Sequence, residues 1–166
     1  MGLREIRLWP DPVLSEICTP VGADEDLSDL IADMFETMYA APGRGLAAPQ
    51  IGVTKRLFVT DTTWKEDKPT PMAFINPEIT DHADTLASGQ EGCLSIPGIL
   101  VEVSRPEWVE LAWTDPDGAV RQQRFQGFAA ACVQHELDHL NGTVTFDRLP
   151  DSEADLARAA YEKSRA

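Results

Sequence analysis

The segment from Phe128 to Leu140 constrains the fold more than any other. Phe128, Ala129, Ala130, Ala131, Cys132 and Val133 run together, and Leu137 and Leu140 extend the apolar character. A helix of this composition is buried on most sides, so the rest of the chain has to wrap around it. Set into it is His135-Glu136-Leu137-Asp138-His139. Residues four apart on a helix share a face about one turn apart, so two imidazoles placed there can bind one metal ion together. Glu136 follows the first imidazole directly, close enough to the ion to handle protons on a bound water, which is the mechanical content of an H-E-x-x-H motif. The competing reading is a pair of helical histidines satisfied by solvent or core hydrogen bonds. Two facts weigh against it. These are two of only three histidines in the chain, and unpaired imidazoles in a buried run are costly.

Around this helix the pattern predicts an α+β fold in one domain, residues 1–166, with a mostly antiparallel sheet packed around the H-E-x-x-H helix. An N-terminal helix is expected from Asp24 to Ala41, where Leu27, Leu30, Ile31, Met34, Phe35 and Met38 form one apolar stripe. Asp24, Glu25 and Asp26 suit its start, and Pro42-Gly43 stop it. Short strands are expected at 57–60, at 72–75 ended by Asn76-Pro77, and at 99–103. Trp108 to Trp113 is another, turned at Asp115-Pro116-Asp117-Gly118 into an antiparallel return over 119–125. A polar, Ala-rich C-terminal helix is expected from Ser152, as N-cap, to Lys163. His82 reads as a loop residue, Cys18 as a small buried side chain, and the four tryptophans show no stacking pattern.

Twenty-eight acidic against fourteen basic side chains give a net charge of −14. That argues against non-specific nucleic-acid binding, which needs a cationic surface. The N-terminus lacks the apolar core of a signal peptide, and no apolar run is long enough to cross a membrane. Three cysteines, far apart and odd in number, form no disulfide framework. A reducing compartment, the cytoplasm, fits this best.

A catalytic metal wants three protein ligands and an open position. No histidine follows His139, and Asp147 and Asp151 lack a motif around them. Upstream, Glu91-Gly92-Cys93-Leu94-Ser95 sets a lone cysteine after a flexible glycine, in what reads as a polar turn. A third segment, Gly43-Arg44-Gly45-Leu46-Ala47-Ala48-Pro49-Gln50, has glycines that let backbone approach a ligand and a neutral donor in Gln50. By itself it reads better as a helix stop and a turn before a strand.

Together and in this order, Gly43 to Gln50, Glu91 to Ser95 and Gln134 to Gly142 resemble the peptide deformylases, whose motifs are G-x-G-L-A-A-x-Q, E-G-C-L-S and Q-H-E-x-D-H-L-x-G. The resemblance runs from about Trp9 to Leu149. It implies Cys93, His135 and His139 as ligands of one divalent metal ion, natively Fe(II), with Zn(II), Ni(II) or Co(II) as alternatives. It implies hydrolysis of the N-formyl group of newly made polypeptides, typically on methionine, with release of formate. Glu136 would move the proton, Gln50 and the Leu94 backbone N–H would meet the oxyanion, and Gly45 would pair with the substrate main chain. Glu91 and Arg105 are expected as a supporting ion pair.

The chain departs from the family at two places. Arg44 occupies a position that many members fill with an apolar residue, beside the pocket for the methionine side chain. It either charges that pocket or turns to solvent. Gly89 and Ala131 are small for pocket walls and Phe128 is large, while Cys132 either lines the pocket or packs in the core. In the C-terminal helix Asp151, Glu153, Asp155 and Glu162 oppose Arg158, Lys163 and Arg165, so the ribosome docking that a basic helix gives some bacterial relatives is expected to be weak or absent. The expected partners are therefore N-formylated nascent peptides, without nucleic acid or membrane. Two other readings stand: a metallopeptidase, which lacks a downstream ligand here, and a deformylase-like paralogue with an altered pocket or a binding-only role.

Overall fold

The apolar run forms a helix at Gly127–Leu140 that is buried from Cys132 to Leu140, in a computed structural model describing residues 2–166. Helix α1 (Ser28–Ala40) precedes strands β1 (Gly45–Ala47), β2 (Leu57–Thr60), β3 (Met72–His82), β4 (Leu86–Cys93), β5 (Ile96–Pro106), β6 (Trp108–Thr114) and β7 (Val120–Gln126). The buried helix is then α2, and α3 (Asp151–Ser164) closes the order. Short 3-10 turns lie at Pro12–Ser15, Ala48–Ile51 and Thr145–Arg148. Five strands form one antiparallel sheet in the order β1-β2-β3-β6-β7, and β4 and β5 form a separate antiparallel pair. The α+β expectation, with antiparallel sheets around the motif helix, holds.

Strand β2 explains how two helices share the larger sheet. All four of its residues are buried. Successive side chains in a strand point to opposite faces. Phe58 joins Phe74, Trp113 and Phe125 beneath Val133, Leu137 and Leu140 of α2. Leu57 and Val59 face the other way, onto Ile31, Met34 and Met38 of α1. A third cluster, with Leu14, Ile96, Phe146 and Tyr161, ties α3 to the β4–β5 pair and includes Cys93.

Several boundaries differ from expectation, each for a physical reason. β3 does not end at Asn76-Pro77. The β2 pairing stops at Ile75, and the β6 pairing shifts register between Ile75 and Glu78, which absorbs Asn76 (φ 50°) and a proline that cannot donate to the ladder. Asn76 is anchored there by exchanging two hydrogen bonds with the Val21 backbone. β3 then continues to His82, which ends a strand and is no loop residue. β4 was not expected at all, and Cys93 is the buried last residue of that strand, not part of a polar turn.

α1 begins at Ser28, because Asp26 accepts from the Ser28 backbone and hydroxyl while Glu25 pairs with Lys55. α3 is entered through Pro150, without the Ser152 cap. Three tryptophans meet aromatic partners: Trp9 packs on Phe146 and Tyr161, Trp64 on Tyr39, and Trp113 on Phe74 and Phe125. Trp108 instead lies under the Arg124 guanidinium.

Candidate metal centre and active site

Helix α2 carries His135 and His139 on one face, and the tight reversal from β4 to β5 delivers Cys93 against them. One ligand atom from each of the three lies within 4.8 Å of the others, and all three residues are buried. Cys93 Sγ and His139 Nε2 are 3.4 Å apart. Tetrahedral coordination at ordinary metal–sulfur and metal–nitrogen lengths separates such a pair by about 3.5 Å. His135 directs Nδ1 to Glu91 Oε1 at 3.0 Å, which leaves Nε2 free for an ion and gives the carboxylate–histidine arrangement that orients metal ligands.

The electrostatics agree with the geometry. Burial, then His135 and Arg105, hold His139 well below the ordinary histidine range, so it is the neutral ligand form. Burial also works against charge on His135, but Glu136, Cys93 and Glu91 outweigh it and push that imidazole well up. Its surroundings call for positive charge, which a divalent cation supplies. One sulfur and two imidazoles form a donor set suited to Fe(II), Zn(II), Ni(II) or Co(II). The residues therefore fit a metal ion.

Glu136 is buried, and its Oε1 has no hydrogen-bond partner among the described residues. Burial raises its carboxyl to about 7, with His135 pulling the other way. A carboxyl near neutrality both takes and gives a proton efficiently at neutral pH. Gly45 is pressed against it: a Cβ there would stand 2.5 Å from Glu136 Oε2 and 3.1 Å from Cys132 Sγ. Gln50, also buried, is fixed at both ends. Its Oε1 accepts from Ala47 N at 2.9 Å, and its Nε2 donates to Ser95 Oγ at 3.1 Å and faces Cys93 Sγ at 3.6 Å.

Behind His135 lies a buried charge network. Arg105 grips both oxygens of Glu91, at 2.7 and 2.9 Å, and reaches Asp138 at 2.9 Å. Arg148 holds the same Asp138 from outside. Burial alone would raise Glu91, yet Arg105 and His135 bring its carboxyl down to about 2. The sequence reading anticipated the Glu91–Arg105 pair but missed Asp138, Ser95 and Glu66. Asp138 carried a usable signal, since a carboxylate in an apolar helix needs a cation.

These groups open onto a cleft of about 1530 Å³. Glu136, His135, Cys93, Gln50 and Gly45 line it, as does Leu94 at the β4–β5 reversal. His139 lies behind them, 1% exposed. Glu91 and Gly89 of β4 form one wall, and a Cβ at Gly89 would meet nothing within 4 Å. Ala131, Cys132 and Phe128 of α2 also line the cleft. Cys132 is thus both buried and on the cleft; its thiol, pushed well up by burial and by Glu136, donates to the Arg44 carbonyl. Arg44 does not simply turn to solvent. Its guanidinium pairs with Glu66 and lies 5.2 Å from the centre of the Phe128 ring.

Comparison with known proteins adds to this picture. The family model described as "Polypeptide deformylase" matches residues 3–155. A peptide deformylase of Rhizorhabdus wittichii is 46% identical, over 99% of this chain and 97% of the relative. That of Azotobacter vinelandii is 46% identical over 98% and 96%. The peptide deformylase of Legionella pneumophila superposes with a TM-score of 0.90 at 41% identity, covering 98% of this chain and 95% of that one. The Synechococcus elongatus peptide deformylase in complex with actinonin gives 0.90 at 39%, covering 96% and 88%.

Proposed function

This chain belongs to the polypeptide deformylase family, and from that premise we propose how its own residues divide the work. The enzyme removes the N-formyl group from the N-terminal, formyl-methionyl residue of newly made polypeptides and releases formate. A deformylase-like relative with another role is not favoured by these likenesses. One metal ion belongs to the Cys/His/His cluster, with Cys93, His135 and His139 as its ligands and Fe(II) as the native ion. When bound, the ion supplies the Lewis acidity that makes water nucleophilic near neutral pH.

Glu136 accepts the proton released as water adds to the formyl carbon, and passes it to the leaving amine. The Gln50 side-chain N–H and the Leu94 backbone N–H donate to the oxygen on which charge develops. Ala47 and Ser95 fix the Gln50 amide beforehand, and a preorganised donor of this kind contributes roughly 3–4 kcal/mol in the transition state. The Gly45 backbone pairs with the substrate main chain. The observation that carries the assignment is the buried Glu136 carboxyl, one oxygen unpartnered, beside the Cys/His/His cluster at the base of the cleft.

The test is formate release from formyl-methionyl peptides by protein purified without oxygen and loaded with a counted metal. Glu136→Ala is expected to keep its metal and lose roughly 10²–10⁴-fold in turnover. Undiminished release from that variant would overturn the role of Glu136. We place the enzyme in the cytoplasm, where nascent chains arise; among the described residues no helix is long and apolar enough to cross a membrane. With a net charge of −14 and a mixed-charge α3, it is expected to sediment apart from ribosomes. Tight, salt-sensitive co-sedimentation would reverse that expectation.

A further inference from the structure

On the deformylase reading the reacting atom is the formyl carbon, and the first side chain of the substrate leaves the backbone close beside it. That side chain must run along whatever lines the cleft next to Glu136. On α2 the lining residues step backwards from His135 and Glu136 to Cys132 and Ala131, then to Phe128. These steps lie about 6 Å and about 10 Å from His135 along the helix axis, the reach of one long side chain. The near part of this path is walled by small groups, Ala131 and the open Gly89 position.

Its far end is not apolar. Arg44 stands there, over Phe128 and on the chain next to Gly45. A guanidinium carries five N–H donors. Among the described residues only Nη2 of the Arg44 guanidinium nitrogens makes a hydrogen bond, to Glu66, and Nε is buried without a partner. The first turn of α2 adds to this. Gln126, Gly127 and Phe128 line the cleft, and no side chain caps the helix there, so its N–H groups contribute partial positive charge. Glu66 already pairs with the Arg44 guanidinium, so a second carboxylate would compete with it while a neutral oxygen can use the remaining donors; Lys65 and Glu107, of opposite charge, also line the cleft.

We propose that this pocket takes N-formyl peptides whose first side chain ends in a neutral hydrogen-bond-accepting oxygen, such as methionine sulfoxide or glutamine, in addition to methionine. Arg44 supplies the donor. Phe128 supports its guanidinium from below and Glu66 holds it in place.

The test compares formate release, as kcat/KM, from tripeptides alike except for formyl-methionine, formyl-norleucine, formyl-glutamine or formyl-methionine sulfoxide at the first position. In the native protein the two oxygen-bearing residues are expected to be turned over within about tenfold of norleucine, and Arg44→Leu to lower both relative to norleucine by about tenfold or more, as loss of a hydrogen-bonding partner does in a specificity pocket. An unchanged ratio in Arg44→Leu would overturn the proposal. Glu66 is largely exposed, so Glu66→Gln provides a second variant with little risk to folding. It frees the guanidinium and is expected to raise formyl-glutamate turnover relative to formyl-glutamine by about fivefold or more. No change there would remove Arg44 from the end of the pocket. Absence of release from formyl-methionine itself would sink the deformylase reading, whereas normal release with an Arg44-independent ratio sinks this inference alone.

Discussion

Gly45 shows how closely the groups around Glu136 are packed. The sequence placed it near a ligand because glycine lets backbone approach. The structure gives a second reason, since a methyl group there would collide with Glu136 Oε2 at 2.5 Å. Gly45→Ala must push the Glu136 carboxyl aside, and displacement of about 1 Å from a productive geometry costs on the order of 10²-fold in rate. The expected outcome is a drop of that order in kcat/KM with full metal content. Undiminished formate release would show that Gly45 does not set the position of Glu136. Residues of this kind were legible because their chemistry and spacing are local: His135, Glu136 and His139 share one helical turn. Glu66 was not, because its partner Arg44 is brought to it only by the loop that follows β2. Ser95 stood inside a recognised motif, but its bond to Gln50 depends on tertiary packing.

Strand β4 is the element that local sequence could not reveal. Gly89, Gln90, Glu91 and Gly92 have poor strand propensity and little burial, so neither composition nor alternation marks them. Their extended state comes from the ladder with β5, which runs from Leu86–Pro106 to Cys93–Ile96. That ladder pairs Glu91 with Val101 and Ala87 with Arg105, and the side chains of Glu91, Arg105 and His135 then join, so three elements meet at one carboxylate. Glu91 keeps its charge down to about pH 2 in the folded protein, against 4.5 ordinarily. A depressed carboxyl contributes stability that is complete above pH 4.5 and is lost as pH falls from there toward 2. The contribution is on the order of 3 kcal/mol. Urea unfolding across that acid range should show the decline in the native protein and a much flatter profile in Glu91→Gln. Equal slopes would mean that Glu91 does not couple folding to pH.

At the scale of the whole molecule, the Cys/His/His cluster lies between two bodies of structure. The five-stranded sheet is clamped by α1 and α2 through large apolar clusters. The β4–β5 pair shares no ladder with that sheet. It is held by the α3 cluster, by Arg105 reaching Asp138 of α2, and by Cys93 facing His139. An ion shared by Cys93 and the two histidines of α2, as proposed above, would therefore join the smaller sheet to the larger one. A ligand that binds only the assembled site stabilises it by mass action, and here the stabilisation should be unevenly distributed. Chelation is expected to lower the unfolding temperature and to raise amide hydrogen exchange chiefly over residues 86–106. Strands β2, β3 and β6, sealed by their own core, should keep their protection. Exchange that rises uniformly, or first in the larger sheet, would show that the ion supports the fold as a whole and not the seam between its sheets.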